Sequence, residues 1–470
     1  MVVILVVVLV YHAMLLGLGL WAGRRTRDAG DYFLAGRGLG PWVASLSASA
    51  SSSSGWTLLG VSGAAYAWGI SALWLLPACL GGFALNWFLV APRIRAESER
   101  TGALSVTDLL ADGSGGAWAK RVRICASGVT LVCLGGYVAS QFKASGTALG
   151  EAFQIAPEWG VLIGGGVVLA YTLIGGFLAV SLTDCIQGLV MAAAAVVVPV
   201  AGLVAVGGPA GLHDAIGAWP ADLQGLWAKP GAPSVLGFLA GTLGIGLGYP
   251  GQPHVVNRFM ACRDSAAVGR GRLVALSWAA LVYPGMVLAG WCGRVLSPGL
   301  SDPEGVLIEV AGQVLPPLAA GMVIAAVMSA ILSTADSQLL VCGGAVSSDL
   351  GGPDTGQGLR RGRRGVCVVG CLAVWAAWSV DESVYSFVLL HWSGLGAAFG
   401  PLLLVRLTKG PVAGPWALAA MVTGIIVTVV WHGTPLLAGA VYELVPAFLA
   451  ALVPAWIGGG IGRGGTTSDA

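Results

Sequence analysis

Residues 49–60, with the sequence SASSSSGWTLLG, decide how this chain folds. They place four consecutive serines and Gly55 inside a stretch that is otherwise apolar and long enough to cross a membrane. Serine hydroxyls and a loosened backbone need hydrogen-bond partners in hydrocarbon, because no water supplies them there. The pattern therefore predicts a broken helix that lines a buried polar site.

The composition of the whole chain places this break in a membrane. Of 470 residues, 56% are hydrophobic and only 10% are charged, which is typical of a protein with many spanning helices. The 74 glycines occur among Val, Leu and Ala, where they suit close helix packing and helix breaks. The nine cysteines show no paired metal-ligand spacing, so we expect small buried side chains. No connection is long enough for a separate catalytic or sensor domain.

Apolar stretches of about 20 residues are expected to be membrane spans. Thirteen occur, near residues 3–22, 42–66, 68–91, 124–149, 159–179, 181–207, 233–253, 272–295, 316–347, 366–380, 383–406, 412–432 and 438–460. With this count, all lysines and arginines except Lys143, Lys229 and Arg294 fall on one side, as expected of the cytoplasmic side. The sequence thus predicts a multi-pass protein of the inner (plasma) membrane, with its N-terminus outside and its C-terminus cytoplasmic. The basic residues assigned to cytoplasmic loops include Arg24, Arg25, Arg27, Lys120, Arg121, Arg123, Arg258, Arg270, Arg272, Arg360, Arg361, Arg363, Arg364 and Arg463.

The seventh span contains a second break, at residues 244–254 (GIGLGYPGQPH). Pro250, Gly251 and Pro253 prevent an unbroken helix, so carbonyl and amide groups there lose their internal partners. Interrupted helices five spans apart are typical of inverted-repeat transporters, whose half-helix ends face a site at the membrane midplane. A half-helix N-terminus suits a carboxylate, whereas freed carbonyls and hydroxyls suit a small hard cation such as sodium.

Several further motifs accompany the two breaks, and in chain order the set is DYFLAGRGLGPW from residue 31, SASSSSGW, IGGFLAVSLTD, GLGYPGQPH, RFMA, STADSQLLV and GAAFGP. With these motifs the chain resembles the sodium:solute symporter family, and most closely its sodium/proline symporters. The resemblance implies a leucine-transporter type of fold made of two inverted five-helix repeats. Spans 2–6 (about 42–207) would form the first repeat and spans 7–11 (about 233–406) the second, within a single transport domain covering residues 1–470. The helices at 3–22, 412–432 and 438–460 would lie outside the repeats.

The resemblance also implies one sodium ion between the second and ninth spans. Its ligands would be the carbonyl oxygens of Ala50, Ser53 and Ala330 and the hydroxyls of Ser333 and Thr334. The ninth span supports this site independently, since its small and hydroxyl residues recur at helical spacing on one face. The structural alternative is that these hydroxyls only bond back to their own helix.

Two carboxylates accompany this site: Asp184, expected at the cytoplasmic start of the sixth span, and Asp336. An ionised aspartate at membrane depth costs on the order of 3 kcal/mol, so each needs a cation, a proton or a hydrogen-bond partner. Some family members have a second cation site here, with hydroxyls at the positions of Ser333, Asp336 and Ser337. Asp336 replaces a serine of the proline-symporter pattern, so we expect either a second cation site or a shared proton. The structural alternatives are a helix cap for Asp184 and a buried hydrogen bond for Asp336.

The candidate substrate pocket combines four spans. Its residues are Ser54, Gly55 and Trp56 of span 2, Tyr137 of span 4, Tyr249, Gln252 and Pro253 of span 7, and Trp392 of span 11. Tyr137, Tyr249 and Pro253 match substrate positions of the family, although buried tyrosines can also be core residues with satisfied hydroxyls. Two positions differ from the proline symporters: Ser52 replaces an aspartate, and Ile245 replaces a tryptophan of the pocket wall.

These observations predict a secondary active transporter, not an enzyme, in which sodium entry drives uptake of a small organic solute by alternating access. An amino acid such as proline is the expected solute. The alternatives are a proton-coupled or sodium-independent transporter, and a substrate sensor that retains the fold. The expected partners are the solute, sodium and the lipid bilayer, with no obligate protein partner. The arginines at 360–364 indicate topology or anionic lipid rather than nucleic acid.

Overall fold

The computed structural model describes residues 2–23, 35–349, 357–380 and 382–460, and nearly all of them are helical. Arg24, Arg25, Arg27, the first residues of the motif that begins at 31, and Arg463 lie outside these ranges. The α-helices are α1 (Val2–Gly23), α2 (Pro41–Ser52), α3 (Val61–Trp68), α4 (Leu75–Ala84), α5 (Ala91–Thr101), α6 (Val106–Ala111), α7 (Gly116–Phe153), α8 (Pro157–Ala205), α9 (Gly208–Gly217), α10 (Ala221–Gln224), α11 (Val235–Gly244), α12 (Pro253–Met260), α13 (Ser265–Leu296), α14 (Val306–Val314), α15 (Pro317–Gly344), α16 (Gly358–Ser379), α17 (Val384–Lys409), α18 (Gly414–His432), α19 (Pro435–Ala440) and α20 (Leu444–Gly458).

Every predicted span has a helical counterpart. Eight helical runs are long and apolar enough to cross a membrane, and shorter apolar helices lie at Pro157–Ala170, Val235–Gly251 and Leu444–Gly458. The run Trp56–Thr101 joins parts of spans 2 and 3 and turns at Gly69, where φ is 63°. Helix α8 joins spans 5 and 6 and bends at Gly176, where φ is 65°. Glycine adopts such angles without steric cost. The prediction of an all-α membrane protein with about thirteen spans is confirmed.

The predicted loops hold more helix than expected. Lys120, Arg121 and Arg123 lie in the first turns of α7, Arg270 and Arg272 lie in α13, and the arginines at 360–364 begin α16. Long basic side chains extend towards water from helix ends, so charge alone does not mark where a helix stops. The prediction that these arginines lie in loops was therefore wrong, although most of them are near helix ends.

The two predicted helix breaks are present. Helix α2 ends at Ser52, and Ser53 takes φ −115° and ψ 80° before the chain resumes as a π-helical turn at Trp56–Gly60. Helix α11 passes into a 3₁₀ turn at Ile245–Gly251, and Gln252 takes φ −96° and ψ 98° before Pro253 begins α12. Proline fits the first position of a helix because it has no N–H to pair. The second broken helix thus continues to residue 260, beyond the predicted end at 253.

The broken helices lie in the centre of the bundle. Helix α2 packs against α8, α12, α13 and α15, and the 3₁₀ turn packs against α4 and α17. The turn approaches α17 closely, since a Cβ on Gly248 would lie 1.9 Å from Trp392 Nε1. Helix α15 is buried along most of its length. This arrangement brings the polar segments of spans 2, 7, 9 and 11 together in the interior.

Candidate functional site

The unwound segment of span 2 is held by a glutamine from α7. The amide of Gly55 donates to Gln141 Oε1 at 2.9 Å, and the amide of Trp56 donates to Ser54 Oγ at 3.2 Å. Gln141 is fully buried. It therefore satisfies a backbone donor that the break leaves without a helical partner, which a membrane interior requires.

Three of the five oxygens expected to bind sodium, those of Ala50, Ala330 and Ser333, meet between α2 and α15. Ser333 Oγ lies 3.2 Å from the carbonyl oxygen of Ala50 and 3.3 Å from that of Ala330. Thr334 Oγ1 lies 3.1 Å from the carbonyl oxygen of Ser51, and the Ser53 amide donates to the Ala50 carbonyl at 3.2 Å. The hydroxyls thus reach across to the opposite helix and do not only bond back to their own. Carbonyl and hydroxyl oxygens from two helices are a donor set that suits a hard monovalent cation.

The carboxylate of Asp184 lies inside the bundle and is paired with an arginine. Asp184 Oδ2 accepts hydrogen bonds from Ser47 Oγ at 2.7 Å, from Ser51 Oγ at 3.1 Å and from Arg258 Nη2 at 2.8 Å. Arg258 Nε also donates to Ser47 Oγ at 2.8 Å, and the guanidinium donates to Ser337 Oγ and to the carbonyl of His254. Asp184 therefore does not cap a helix; it lies eight residues beyond the bend at Gly176 within α8.

Arg258 belongs to this site, although its sequence context predicted a position in a loop. It was assigned to a cytoplasmic loop, but it lies in α12 with its side chain 1% exposed. The sequence does contain a signal for the buried position. Pro253 can begin a helix, and most residues near Arg258 within 253–260 are apolar, so a helix there would lie in the protein interior. A positive charge of the protein itself therefore occupies the contacts of Asp184 and Ser337 that were expected for a second cation.

Asp336 is next to this cluster but is less completely paired. Its Oδ1 accepts a hydrogen bond from Ser337 Oγ at 3.1 Å, whereas Oδ2 is buried without a hydrogen-bond partner among the described residues. Ser337 Oγ also lies 3.1 Å from Ser51 Oγ. A continuous polar network thus joins the two carboxylates to the broken end of α2. The network therefore contains two carboxyl groups, Asp184 and Asp336, and the single positive charge of Arg258 can neutralise only one of them.

An aromatic group closes the expected substrate pocket. Tyr137 Oη donates to Ser54 Oγ at 3.3 Å, and its ring meets that of Trp392 edge to face at 6.3 Å. Tyr249 meets the same tryptophan edge to face at 4.8 Å, and its hydroxyl lies 3.0 Å from that of Tyr283. Trp392 Nε1 donates to the Ile245 carbonyl at 3.1 Å. Edge-to-face rings of this kind form a rigid apolar wall.

Gln252 supplies the polar side of this pocket. Its Nε2 donates to the carbonyls of Gly248 and Trp392, both at 3.3 Å, while Oε1 is buried without a partner among the described residues. Pro253 follows directly as the first residue of α12. An unpaired acceptor beside the N-terminus of a half-helix offers both polarities to a small polar solute.

Two residues lie outside the centre of the site: Trp56, which was expected to line the substrate pocket, and Ser52, which replaces the aspartate of the proline symporters. The Trp56 ring faces Tyr385 at 5.5 Å, so it lies at the edge of the pocket rather than in its centre. Ser52 Oγ donates back to the Ser49 carbonyl at 3.0 Å. Ser52 also lines a cavity of about 10 Å³ that it shares with Asn86. That volume corresponds to about one water molecule. The Ser52 hydroxyl thus bonds back to its own helix, and a neutral serine supplies no charge at this position.

The site combines oxygens that suit a cation with an aromatic pocket of a size and polarity that suit a small solute. No group of three or more His, Cys, Asp or Glu side chains that could hold a metal ion occurs among the described residues. The oxygens expected to bind sodium and the aromatic pocket share the break of span 2, since Ala50 and Ser54 are four residues apart. A cation that orders this break would also order the pocket.

Comparison with known proteins identifies one family and several relatives that are named as proline transporters. The family model described as the sodium:solute symporter family matches residues 32–424. The osmoregulated proline transporter OpuE of Bacillus subtilis is 34% identical over 456 residues, covering 94% of this chain and 92% of the relative. The high-affinity proline transporter PutP of the same organism is 34% identical over 447 residues, covering 93% of each chain. A sodium/proline symporter of Staphylococcus aureus is 31% identical, covering 96% of this chain and 91% of the relative.

Solved structures confirm the fold. A substrate-bound, outward-open sodium-coupled sialic acid symporter superposes with a TM-score of 0.79 at 19% identity, covering 98% of this chain and 97% of the other. The nucleobase-cation transporter Mhp1, closed around a hydantoin, gives a TM-score of 0.55 at 14% identity, covering 92% and 94%. The expected leucine-transporter type of fold is therefore confirmed.

Proposed function

Because this chain belongs to the sodium:solute symporter family, we propose that sodium entry drives its uptake of a small amino acid, with L-proline as the solute. The observation that carries the proposal is the contact of Ser333 Oγ with the carbonyl of Ala50, at 3.2 Å across two helices. The named activities of the relatives, which are proline transporters and sodium/proline symporters, support the choice of solute.

The proposed sodium ligands are the carbonyls of Ala50, Ser53 and Ala330 and the hydroxyls of Ser333 and Thr334. The proposed solute site combines Tyr137, Tyr249, Gln252, Pro253 and Trp392 with residues 54–56. Sodium would bind the broken end of α2 to α15 and so favour an outward-open form with an ordered pocket. Its loss to the cytoplasm would loosen that end and release both ligands.

The proposed topology places the N-terminus outside and the C-terminus in the cytoplasm. In this topology, spans 2–6 and spans 7–11 form two inverted repeats. The concentration of basic residues near the ends of the spans on one side supports the orientation. The two helix breaks in matching spans support the repeats. The transmembrane helices and the family together make this a multi-pass plasma-membrane transporter.

Purified protein in liposomes tests the proposal. We expect an inward sodium gradient to drive accumulation of labelled L-proline, and a proton gradient alone to drive none. Ser333→Ala combined with Thr334→Ala should raise the sodium concentration for half-maximal uptake by about tenfold, since two of five ligands are lost. Thr428→Ala is the matched control, because its hydroxyl only bonds back to Gly424 within α18. Uptake that ignores the sodium gradient would contradict the coupling.

A further inference from the structure

A groove with a volume of about 660 Å³ lies between α7 and α16, on the periphery of the bundle and away from the central pocket. We call it the α7–α16 groove; its walls come from residues 131–136 of α7 and 364–376 of α16, together with Val346. Apart from Arg364, the residues that line it are Gly, Ala, Val, Leu and Trp. Its volume is within the range of ligand sites, and its walls suit an apolar ligand.

The groove opens towards the membrane. The large apolar residues of its rim, Val132, Val368, Leu372 and Trp375, are between 59% and 72% exposed. Helix α7 is one of the helices that are long and apolar enough to cross a membrane, and α16 packs against it. These exposed side chains therefore meet lipid rather than water.

The hollow follows from glycines at the contact between the helices. Gly135 and Gly136 leave α7 without side chains on the groove. A Cβ on Gly135 would have one neighbouring heavy atom within 4 Å, Val369 Cγ1 at 3.6 Å. On the other wall, a Cβ on Gly365 would lie 2.9 Å from Val346 Cβ, so α16 packs closely against the turn that follows α15. Close helix packing thus fixes the walls of the groove.

A positive charge stands at one end of the groove. Arg364 is exposed, and of the α16 residues that line the groove it is the nearest to the start of the helix. Its guanidinium forms no hydrogen bond or ion pair within the described part of the chain. Three more arginines, at 360, 361 and 363, belong to the same two turns. This end of α16 is the one that the charge distribution predicts to be cytoplasmic.

The length of the groove matches one leaflet of a bilayer. From Arg364 to Ala376 the lining extends over twelve residues of α16, which is about 18 Å at the rise of an α-helix. The hydrocarbon of one leaflet is about 15 Å thick, half of the bilayer core. The groove therefore offers a charge near the level of the headgroups and apolar walls through the depth of one leaflet.

We propose that the α7–α16 groove binds an anionic phospholipid of the cytoplasmic leaflet, with its phosphate on Arg364 and one acyl chain along the groove towards Trp375. A guanidinium can hold a phosphate through two parallel N–H donors. Basic pockets between membrane helices on the cytoplasmic side are typical sites for anionic headgroups. The choice of leaflet follows the proposed orientation, whereas the site requires neither sodium coupling nor a particular solute.

A second copy of this chain fits the groove less well than a lipid does. A two-fold dimer brings the same surface of both copies together, so the arginines at 360–364 would face their own counterparts. Like charges at close range repel each other. An anionic headgroup instead neutralises part of this charge, and an acyl chain matches the apolar walls.

Photolabelling in lipid nanodiscs tests the site. Full-length protein is placed in phosphatidylcholine discs that contain a trace of phosphatidylglycerol with a diazirine on one acyl chain, and mass spectrometry maps the labelled residues. We expect the label to concentrate within residues 131–136 and 368–376, about fivefold more strongly than with the matching photoreactive phosphatidylcholine. Equal labelling by the two lipids, or a label concentrated on other faces, would overturn the proposal. Competition by soluble glycerol phosphate would also overturn it, because the ligand would then be a free phosphate and not a lipid.

Variants of two neighbouring arginines separate a specific contact from general attraction to the membrane. Arg364→Gln should lower labelling of the groove by phosphatidylglycerol about tenfold, because a hydrogen bond between charged groups is lost. Arg364→Lys keeps the charge and should retain more of the label. Arg363→Gln is the matched control, since Arg363 is also exposed but does not line the groove. Equal losses in Arg363→Gln and Arg364→Gln would overturn the assigned contact.

Filling the groove gives an independent test. Gly135→Leu would extend a side chain into the groove and should remove the label from residues 368–376. Gly128→Leu is its control, because Gly128 is an exposed residue of α7 outside the groove with nothing within 4 Å of its Cβ position. Cooperative thermal unfolding in detergent shows whether each variant folds, and Arg364→Gln decides the question if Gly135→Leu does not. A label retained in folded Gly135→Leu would overturn the proposal.

The same discs show whether a second copy occupies the groove instead. Cys367 and Cys371 are exposed cysteines of α16, next to the lining residues Val368 and Leu372. We expect oxidation to leave the protein monomeric while the lipid label is present. Disulfide formation between two copies through these cysteines, in place of lipid labelling, would overturn the proposal.

Discussion

The buried pair of Arg258 and Asp184 gives the sharpest test of the structure. Their side chains are 1% and 0% exposed, with Nη2 and Oδ2 separated by 2.8 Å. At an effective dielectric constant near 20, this separation corresponds to an attraction of about 6 kcal/mol. Most of that attraction offsets the cost of removing both charges from water, but removal of one partner leaves the other charge buried and uncompensated.

We therefore expect each single substitution to be costly and the double substitution to be little worse. Arg258→Met and Asp184→Asn should each lower the free energy of unfolding by roughly 3–5 kcal/mol. The double variant should lose about as much as one single variant, because neither charge then remains without its partner. Asparagine is chosen because it can still accept the hydrogen bonds from Ser47 and Ser51.

Unfolding by sodium dodecyl sulfate in mixed micelles measures these free energies, and a double-mutant cycle isolates the coupling. The exposed pair of Arg263 and Asp264, with an N–O distance of 3.2 Å, is the control. Its coupling should be below about 1 kcal/mol, since solvent screens exposed ion pairs. Additive losses for Arg258 and Asp184, to within about 0.5 kcal/mol, would refute the reasoning that the two charges balance each other.

Three further results are expected. Gln141→Leu leaves a buried amide of the unwound segment without its acceptor, so it should destabilise the protein by about 1–3 kcal/mol in the same unfolding assay and reduce uptake. Gly248→Ala would place a Cβ 1.9 Å from Trp392 Nε1 and should abolish uptake, whereas Gly269→Ala, with nothing within 4 Å, should leave uptake unchanged. Glu304 accepts hydrogen bonds from the first two amides of α17, at 2.9 and 2.7 Å, in the connection outside the spans. Burial raises the pKa of Glu304 above 4.5, so the folded state binds its proton more tightly than the unfolded state. Thermal unfolding from pH 4 to pH 8 should therefore show the wild type losing stability relative to Glu304→Gln as pH rises through the raised pKa; an opposite slope would contradict this sign.

The sequence alone determined the membrane architecture and the places where it is interrupted. Spans are set by the length of apolar stretches, and breaks are set by proline, glycine and consecutive serines, which are local properties of the chain. Both breaks were therefore predictable to within a few residues. The residues expected to bind sodium on the ninth span, Ala330, Ser333 and Thr334, were implied by the resemblance to the family, and their helical spacing on one face supported that expectation.

Tertiary structure decided which polar groups meet. Gln141 carries no sequence signal that links it to Gly55, because a distance of 86 residues separates the acceptor from the amide. Arg258 follows a helix break and precedes further arginines in the sequence. The distribution of basic residues therefore predicted that it lies in a cytoplasmic loop. Only the packing of α12 against α2, which itself packs against α8, brings Arg258 to Asp184.

The segment at residues 49–60 shows both contributions. Its serines and glycine require a break and polar partners wherever the segment enters a membrane, and this requirement is independent of the fold. Which partners it finds is a property of the fold: Ser333 for the Ala50 carbonyl, Asp184 for the Ser51 hydroxyl and Tyr137 for the Ser54 hydroxyl. The physical reason is that a hydrogen bond needs atoms within about 3 Å, and helices distant in sequence reach that separation only by packing.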